Sequence, residues 1–223
     1  MSAAVPGAVA SQHYFDRDFG RMAVKLLPSE YYVSAKNAVM TTVLGSCVAA
    51  CLLDLEAGVA GMNHFMLAEE GESSSRDQVA SMRYGAHAMD VLIREMTRVG
   101  ARRDRLQAKV FGGAAVLTTM STLNIGDCNA DFVLRYLRAK RIGIAAQDLR
   151  GQHARRIGFF PETGKVLVRK LRQQVEVQRV QREESDLLRT LSSRNPGAVH
   201  GTVIGGADAA RAIPSAEKTK GGE

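Results

Sequence analysis

Tryptophan is absent from this chain, and aromatic residues make up only 5% of it. Nucleic-acid readers usually interleave aromatics with basic residues so that bases can stack. Their scarcity, together with the lack of any recognition motif, argues against nucleic acid as a partner. No apolar run approaches the ~20 residues that span a bilayer, so no membrane insertion is expected. Met1 to Ser11 has neither the basic start nor the long apolar core of a signal peptide, and a cytoplasmic location is the expectation. Cysteine is scarce too, at three in 223 residues. An odd count in a chain long enough to build a core without staples reads as thiols in a reducing compartment. Cys47, Cys51, His64 and Cys128 make a poor zinc pattern, because Cys-x3-Cys with one distant His lacks the usual ligand spacing. Neither a metal nor a cofactor is expected.

Positive charge is present in excess. The net charge of +7 falls entirely before Glu176 and clusters around Arg94, Arg98, Arg102, Arg103 and Arg105, then around Arg135 to Arg141 and Arg150 to Arg156. Such a surface attracts polyanions, including acidic proteins; the plainer explanation is solvated helix faces.

The hydrophobic pattern gives a mixed α/β (α+β) domain over 12–172. Residues 1–11 precede it as a disordered start. A tail, 173–223, follows it, with an exposed helix over 173–191 and a disordered end. Ala38–Gly45 reads as a strand ending in a bend, and Val48–Asp54 and Gly58–Met66 as a hairpin. Met82, Met89, Ile93 and Met96 recur at helical spacing before Gly100, and Asp127–Lys140 carries a second apolar stripe. A further strand occupies Leu106–Val116. Ile142–Leu149 is another, and a hairpin turns at Pro161–Gly164.

The first hairpin holds the chemistry. If Leu55 and Glu56 form a two-residue turn, Cys47 lies directly opposite His64 on one face, with Cβ atoms about 5 Å apart. That is within reach for a nucleophile and its base. A third group must orient the imidazole, and Thr41 and Thr42 on the preceding strand are both available. Little bulk in Gly45 and Ser46 leaves room for a substrate carbonyl, and backbone N–H groups there can hold an oxyanion. Asn63 joins them as a candidate at the substrate approach. Cys51, deeper in the strand, reads as core.

These residues, "LGSCVAACLLD" followed by "GMNHFML", closely resemble the chemoreceptor glutamine deamidases, the CheD family of bacterial chemotaxis. The likeness continues in "RYGAHAMDVLI", "KVFGGAAV", "IGDCNADFVLRYL" and "GIAAQDLRGQHARRIGFFPETGKVLV", and covers about residues 20–170. It implies a cysteine hydrolase with a Cys47–His64–Thr41 triad on a mixed-sheet fold like that of the toxins that deamidate Rho GTPases. It also implies a substrate, the cytoplasmic helices of methyl-accepting chemotaxis receptors, with receptor methylesterase activity as a second reaction and recruitment to receptor arrays. A CheC-type phosphatase is a further partner in the family, so a binding module without essential catalysis is the rival reading. On the deamidase reading, Arg98, Arg102 and Arg103 would meet the acidic receptor. Four positions depart from the family pattern: Cys128 replaces a common Arg, Ala68 a common Pro, and Arg150 and Ala154 common glycines.

Overall fold

Both strands of the central hairpin, β6 (Val48–Asp54) and β7 (Val59–Phe65), are buried along their whole length. Side chains alternate across a strand, so both faces of the hairpin need cover. On one face Val48, Ala50, Leu52, Val59 and Phe65 pack beneath helices α1 (Ser75–Arg98) and α2 (Ile125–Ala139). On the other, Ala49, Cys51, Leu53, Ala60 and Met62 pack against a second sheet. The result is three layers in an α+β arrangement: helices, a six-stranded sheet and a five-stranded sheet. This computed structural model describes residues 8–34, 38–67, 75–116 and 124–193.

The remaining strands are β1 (Ala8–Val9), β2 (Gln12–Asp16), β3 (Arg21–Lys25), β4 (Glu30–Ser34), β5 (Val39–Leu44), β8 (Gln107–Gly112), β9 (Gly143–Leu149), β10 (Arg155–Phe160) and β11 (Lys165–Lys170). The six-stranded sheet runs β1-β4-β7-β6-β8-β9, and the five-stranded sheet β11-β10-β5-β3-β2. The chain therefore changes sheets between β5 and β6, within Gly45, Ser46 and Cys47.

The hairpin register differs from the two-residue-turn expectation. Val48 pairs with Phe65 and Ala49 with His64, across a four-residue turn, Leu55 to Gly58. A tight two-residue turn favours positive φ at its central positions, which Leu55 and Glu56 adopt poorly. The positive φ, +63°, falls instead at Gly58, and the Asp54 carboxylate accepts the Ala57 N–H at 3.0 Å. The shift is by two residues, an even number, so Cys47 and His64 keep a common face as diagonal neighbours.

The end of the chain also departs from expectation. Helix α3 (Gln174–Ser193) is not a detached, exposed helix. It closes the end of the sandwich where β5 passes into β6. Val180 is buried with Ala114, Val116 and Leu171, and Leu188 joins the inter-sheet core that contains Cys47. At the other end Ala8 and Val9, placed in the disordered start by sequence, pair with β4. The expected disorder after 193, and Ala68, lie outside the described residues. Arg150 takes φ +67°, the conformation that favours glycine.

The glycine pair at the end of β8, Gly112 and Gly113, fixes how closely that strand approaches the crossover. Gly112 has φ +113°, and a Cβ there would lie 2.1 Å from the Cys47 carbonyl oxygen. Gly112→Ala is therefore expected to destabilise the protein by about 1–3 kcal/mol through overpacking and strain. Urea unfolding midpoints measure this; an unchanged midpoint would show that the crossover yields without cost.

Candidate active site

The crossover turn is shaped by bonds from two elements. Its carbonyls point outward: Gly45 O accepts from Ala114 N at 2.7 Å, and Cys47 O from Gly113 N at 2.8 Å. Ser46 O accepts from Asn129 Nδ2 at 2.8 Å. Asn129 is fully buried on α2, and its Oδ1 accepts the Leu67 N–H at 2.7 Å. One side chain thus ties the cysteine turn to the segment just beyond His64. The three N–H groups of Gly45, Ser46 and Cys47 are left free to converge on one acceptor.

His64 is buried on the inter-sheet face of β7, 3% exposed. Its Nδ1 lies 2.8 Å from Thr42 Oγ1, and the same hydroxyl lies 2.8 Å from Leu26 O. A carbonyl can only accept. The arrangement that satisfies both contacts has Thr42 donating to Leu26 O while accepting from Nδ1–H. The neutral ring then carries its proton on Nδ1 and its lone pair on Nε2. Nε2 is buried with no hydrogen-bond partner, leaving a base atom on the face it shares with Cys47.

The hydroxyl on the histidine belongs to Thr42, not to Thr41, the residue favoured by family likeness. Alternation along β5 explains the offset. Met40, Thr42 and Leu44 face the six-stranded sheet, since Met40 and Leu44 share its core. Thr41 faces the other way, where its Oγ1 lies 2.9 Å from Tyr14 Oη.

The converging N–H groups hold a residue that the sequence reading passed over. Glu184 of α3 is 3% exposed. Its Oε1 accepts from Gly45 N at 2.9 Å and Cys47 N at 3.1 Å. Its Oε2 accepts from Ser46 N at 2.8 Å and Ser46 Oγ at 2.7 Å. Such a nest of backbone donors stabilises an anion without a neighbouring cation. A Cβ on Gly45 would lie 2.6 Å from Glu184 Oε2, so the missing side chain admits the carboxylate. In the sequence, Glu184 interrupts the apolar stripe of Val177, Val180, Leu187 and Leu188, and Asn129 interrupts that of Ile125, Phe132, Val133 and Tyr136. A polar residue inside a helical apolar stripe was the available signal in both cases.

Burial and the Glu184 charge together set the protonation of the pair. Cys47 is fully buried. Desolvation first, then the adjacent carboxylate, push its thiol well above the ordinary range. It is a neutral thiol here, with Met66 Sδ at 3.8 Å. Desolvation lowers His64 below its ordinary value, and the Glu184 charge opposes that only in part. Both groups are therefore neutral.

The other candidates fall elsewhere. Asn63 faces α1: its Nδ2 donates to Ala88 O at 3.2 Å and its Oδ1 accepts Ala50 N at 3.1 Å. It is a core residue on the face opposite His64, and alternation along β7 puts it there. Arg98, Arg102 and Arg103 sit where α1 ends and a short 3-10 turn, Arg103–Arg105, begins. Arg102 N bonds Asp54 at 2.8 Å, at the far end of β6, about 20 Å along the strand from Cys47 at ~3.3 Å per residue. Arg98 pairs with Glu95 and Arg102 with Asp104. The fold does not bring these arginines to the cysteine. Cys51 is buried in the inter-sheet core, as a packing residue would be.

A family model described as CheD chemotactic sensory transduction matches residues 66–170. Similar proteins include a "probable chemoreceptor glutamine deamidase CheD" from Cupriavidus metallidurans, 56% identical over 201 residues, which span 89% of this chain and 91% of that one. A protein of the same name from Cupriavidus pinatubonensis is 59% identical over 190 residues, 85% and 88% of the two chains. One from Burkholderia vietnamiensis is 57% identical over 167 residues, 75% and 68%. Among solved structures, the Bacillus licheniformis hypothetical protein YfiH aligns with a TM-score of 0.31 at 13% identity, over 52% of this chain and 49% of that one.

Two outcomes follow from the histidine's setting. Thr42→Val should change the tautomer balance and titration of His64 by nitrogen NMR, whereas Thr41→Val should leave them unaltered; the reverse would reassign the orienting hydroxyl. The folded pKa of His64 is depressed, so the unfolded chain takes up a proton that the folded chain refuses. Its contribution to stability is full above the unfolded value of 6.5 and falls as pH drops below it. Unfolding free energy measured from pH 7 to 4.5 should therefore decline less steeply in His64→Gln than in the wild type.

Proposed function

We propose, for a chain that belongs to the CheD family, that it hydrolyses glutamine side-chain amides of methyl-accepting chemotaxis receptors to glutamate through a thioester on Cys47. The observation that carries this reading is the nest of three N–H groups, from Gly45, Ser46 and Cys47, gathered on one acceptor beside the buried cysteine. That is the donor set an acyl-transfer oxyanion requires.

With substrate in place of Glu184, His64 Nε2 takes the thiol proton and Cys47 Sγ attacks the amide carbon. The carbonyl oxygen becomes an oxyanion held by the turn's N–H groups. Collapse of this intermediate breaks the C–N bond, and the imidazolium returns its proton to the leaving nitrogen, which departs as ammonia. The acyl group is then a thioester. His64 Nε2 removes a proton from water, the hydroxide attacks, and the sulfur leaves to regain its proton. Thr42 holds Nδ1–H throughout, keeping Nε2 as the working atom. A receptor glutamyl methyl ester would pass through the same thioester with methanol as leaving group, which is the basis for methylesterase activity as a second reaction.

The test uses a receptor cytoplasmic fragment and peptide mass spectrometry, reading the mass change of amide to carboxyl. Wild-type protein should convert specific glutamines. Cys47→Ala should convert none, and His64→Ala should lower kcat/KM on the order of 10²- to 10⁴-fold. Cys51→Ala should stay near wild type. Conversion that survives Cys47→Ala would remove the assigned nucleophile. If no variant converts any glutamine, the rival reading, a binding module for the receptor or a CheC-type phosphatase, takes precedence.

A further inference from the structure

Helix α3 stands in an unusual relation to the proposed reaction, and the inference drawn from it rests on that reading. A deamidated substrate leaves the enzyme as a glutamate side chain. Glu184 is such a side chain, and it sits on the oxyanion donors with both oxygens. It is delivered by a helix, as the proposed receptor glutamines are. We propose that α3 is a built-in product mimic: it occupies the substrate's place in cis, and it must be displaced, by the incoming receptor helix or by a partner, before Cys47 can act.

Three observations converge on this. First, access: Cys47 is wholly buried, and Leu188, one helical turn beyond Glu184, packs in the same core cluster. A substrate amide cannot reach the sulfur past this helix. Second, electrostatics: the Glu184 charge beside the sulfur disfavours the thiolate, which is the attacking species. With the helix gone that opposition disappears. Third, the hold on the helix is confined to one face and centres on the four bonds to Glu184, the very donors a substrate oxygen would take over. Val180 and Leu188 are buried, but Val175 is 79% exposed and several polar side chains face solvent. Gln181 Nε2 adds one bond to Val116 O at 2.7 Å. Elements of this kind open locally at less than the cost of global unfolding. The seating also gives a rule for the displacing helix: apolar residues four positions before and four after the glutamine, as Val180 and Leu188 flank Glu184.

The test uses the full chain in two arms. The first reads Cys47 alkylation by iodoacetamide, with peptide mass spectrometry to separate the three cysteines. Val180→Glu/Leu188→Glu, which unseats the helix, and Glu184→Ala, which removes the side chain that ties it to the turn, should each label Cys47 at least about tenfold faster than wild type, because the helix opens more often. Retained Tm and circular dichroism exclude general unfolding. Equal labelling in wild type and in both variants overturns the proposal, whatever the receptor assay shows. The second arm reads Glu184→Gln. The introduced side-chain amide and water should yield the wild-type glutamate and ammonia within the purified protein, and the amide should persist when Cys47→Ala is added. If the amide persists with Cys47 present while receptor glutamines are converted, the product-mimic assignment falls and the deamidase reading stands. Faster labelling in the unseated variants with no conversion at either site supports α3 as the cover and sinks the deamidase reading.

Discussion

Backbone N–H groups buried away from water must find acceptors, and the turn from Gly45 to Cys47 presents three of them to one small volume. Its geometry leaves little choice. The carbonyls of the turn are taken by Gly113, Ala114 and Asn129, so the peptide planes cannot rotate to spend the donors elsewhere. An anion or a polarised carbonyl oxygen is the natural occupant. The glycine pair at the end of β8, the buried asparagine on α2 and the missing side chain at Gly45 all serve that one arrangement. Changing any of them reaches the cysteine without touching it.

The layering does the rest. Because β5 and β6 belong to different sheets, the turn between them lies at the seam where the inner faces meet. His64 approaches from one sheet and Thr42 from the other, so the imidazole is held across the interface by groups whose spacing is set by sheet packing. Sheets pack about 10 Å apart, and paired side chains such as these can meet in that gap. A hydroxyl that passes its own hydrogen to Leu26 and accepts one from the ring fixes the tautomer without introducing a charge into a dry core.

Much of this could be read in the sequence, and what could not has identifiable causes. Helical spacing exposed α1 and α2 because their period is strong, and the polar turn between two apolar runs exposed the central hairpin. The shared face of Cys47 and His64 emerged although the turn length was misjudged, since an error of two residues preserves alternation. Thr41 and Thr42 could not be separated, because β5 is apolar on both faces and its pattern names no inner side. Asn63 was misplaced for a related reason: β7 is buried on both faces, so a polar residue there need not belong to the site. Glu184 is separated from Cys47 by 137 positions, and nothing local ties α3 to the turn. Only the break in its apolar stripe marked it.

That separation has a consequence in time. Thr42 and His64 are 22 residues apart, and the hairpin between them is among the early parts of the chain to leave the ribosome. The elements that shape the turn, Gly113, Ala114 and Asn129, follow in order, and α3 comes after them all. A domain generally folds as a unit, and β10, which pairs with β5, is likewise made well after the hairpin. The Cys47 turn therefore closes over its acceptor only once α3 has been made, and its burial is among the latest contacts the described chain can form.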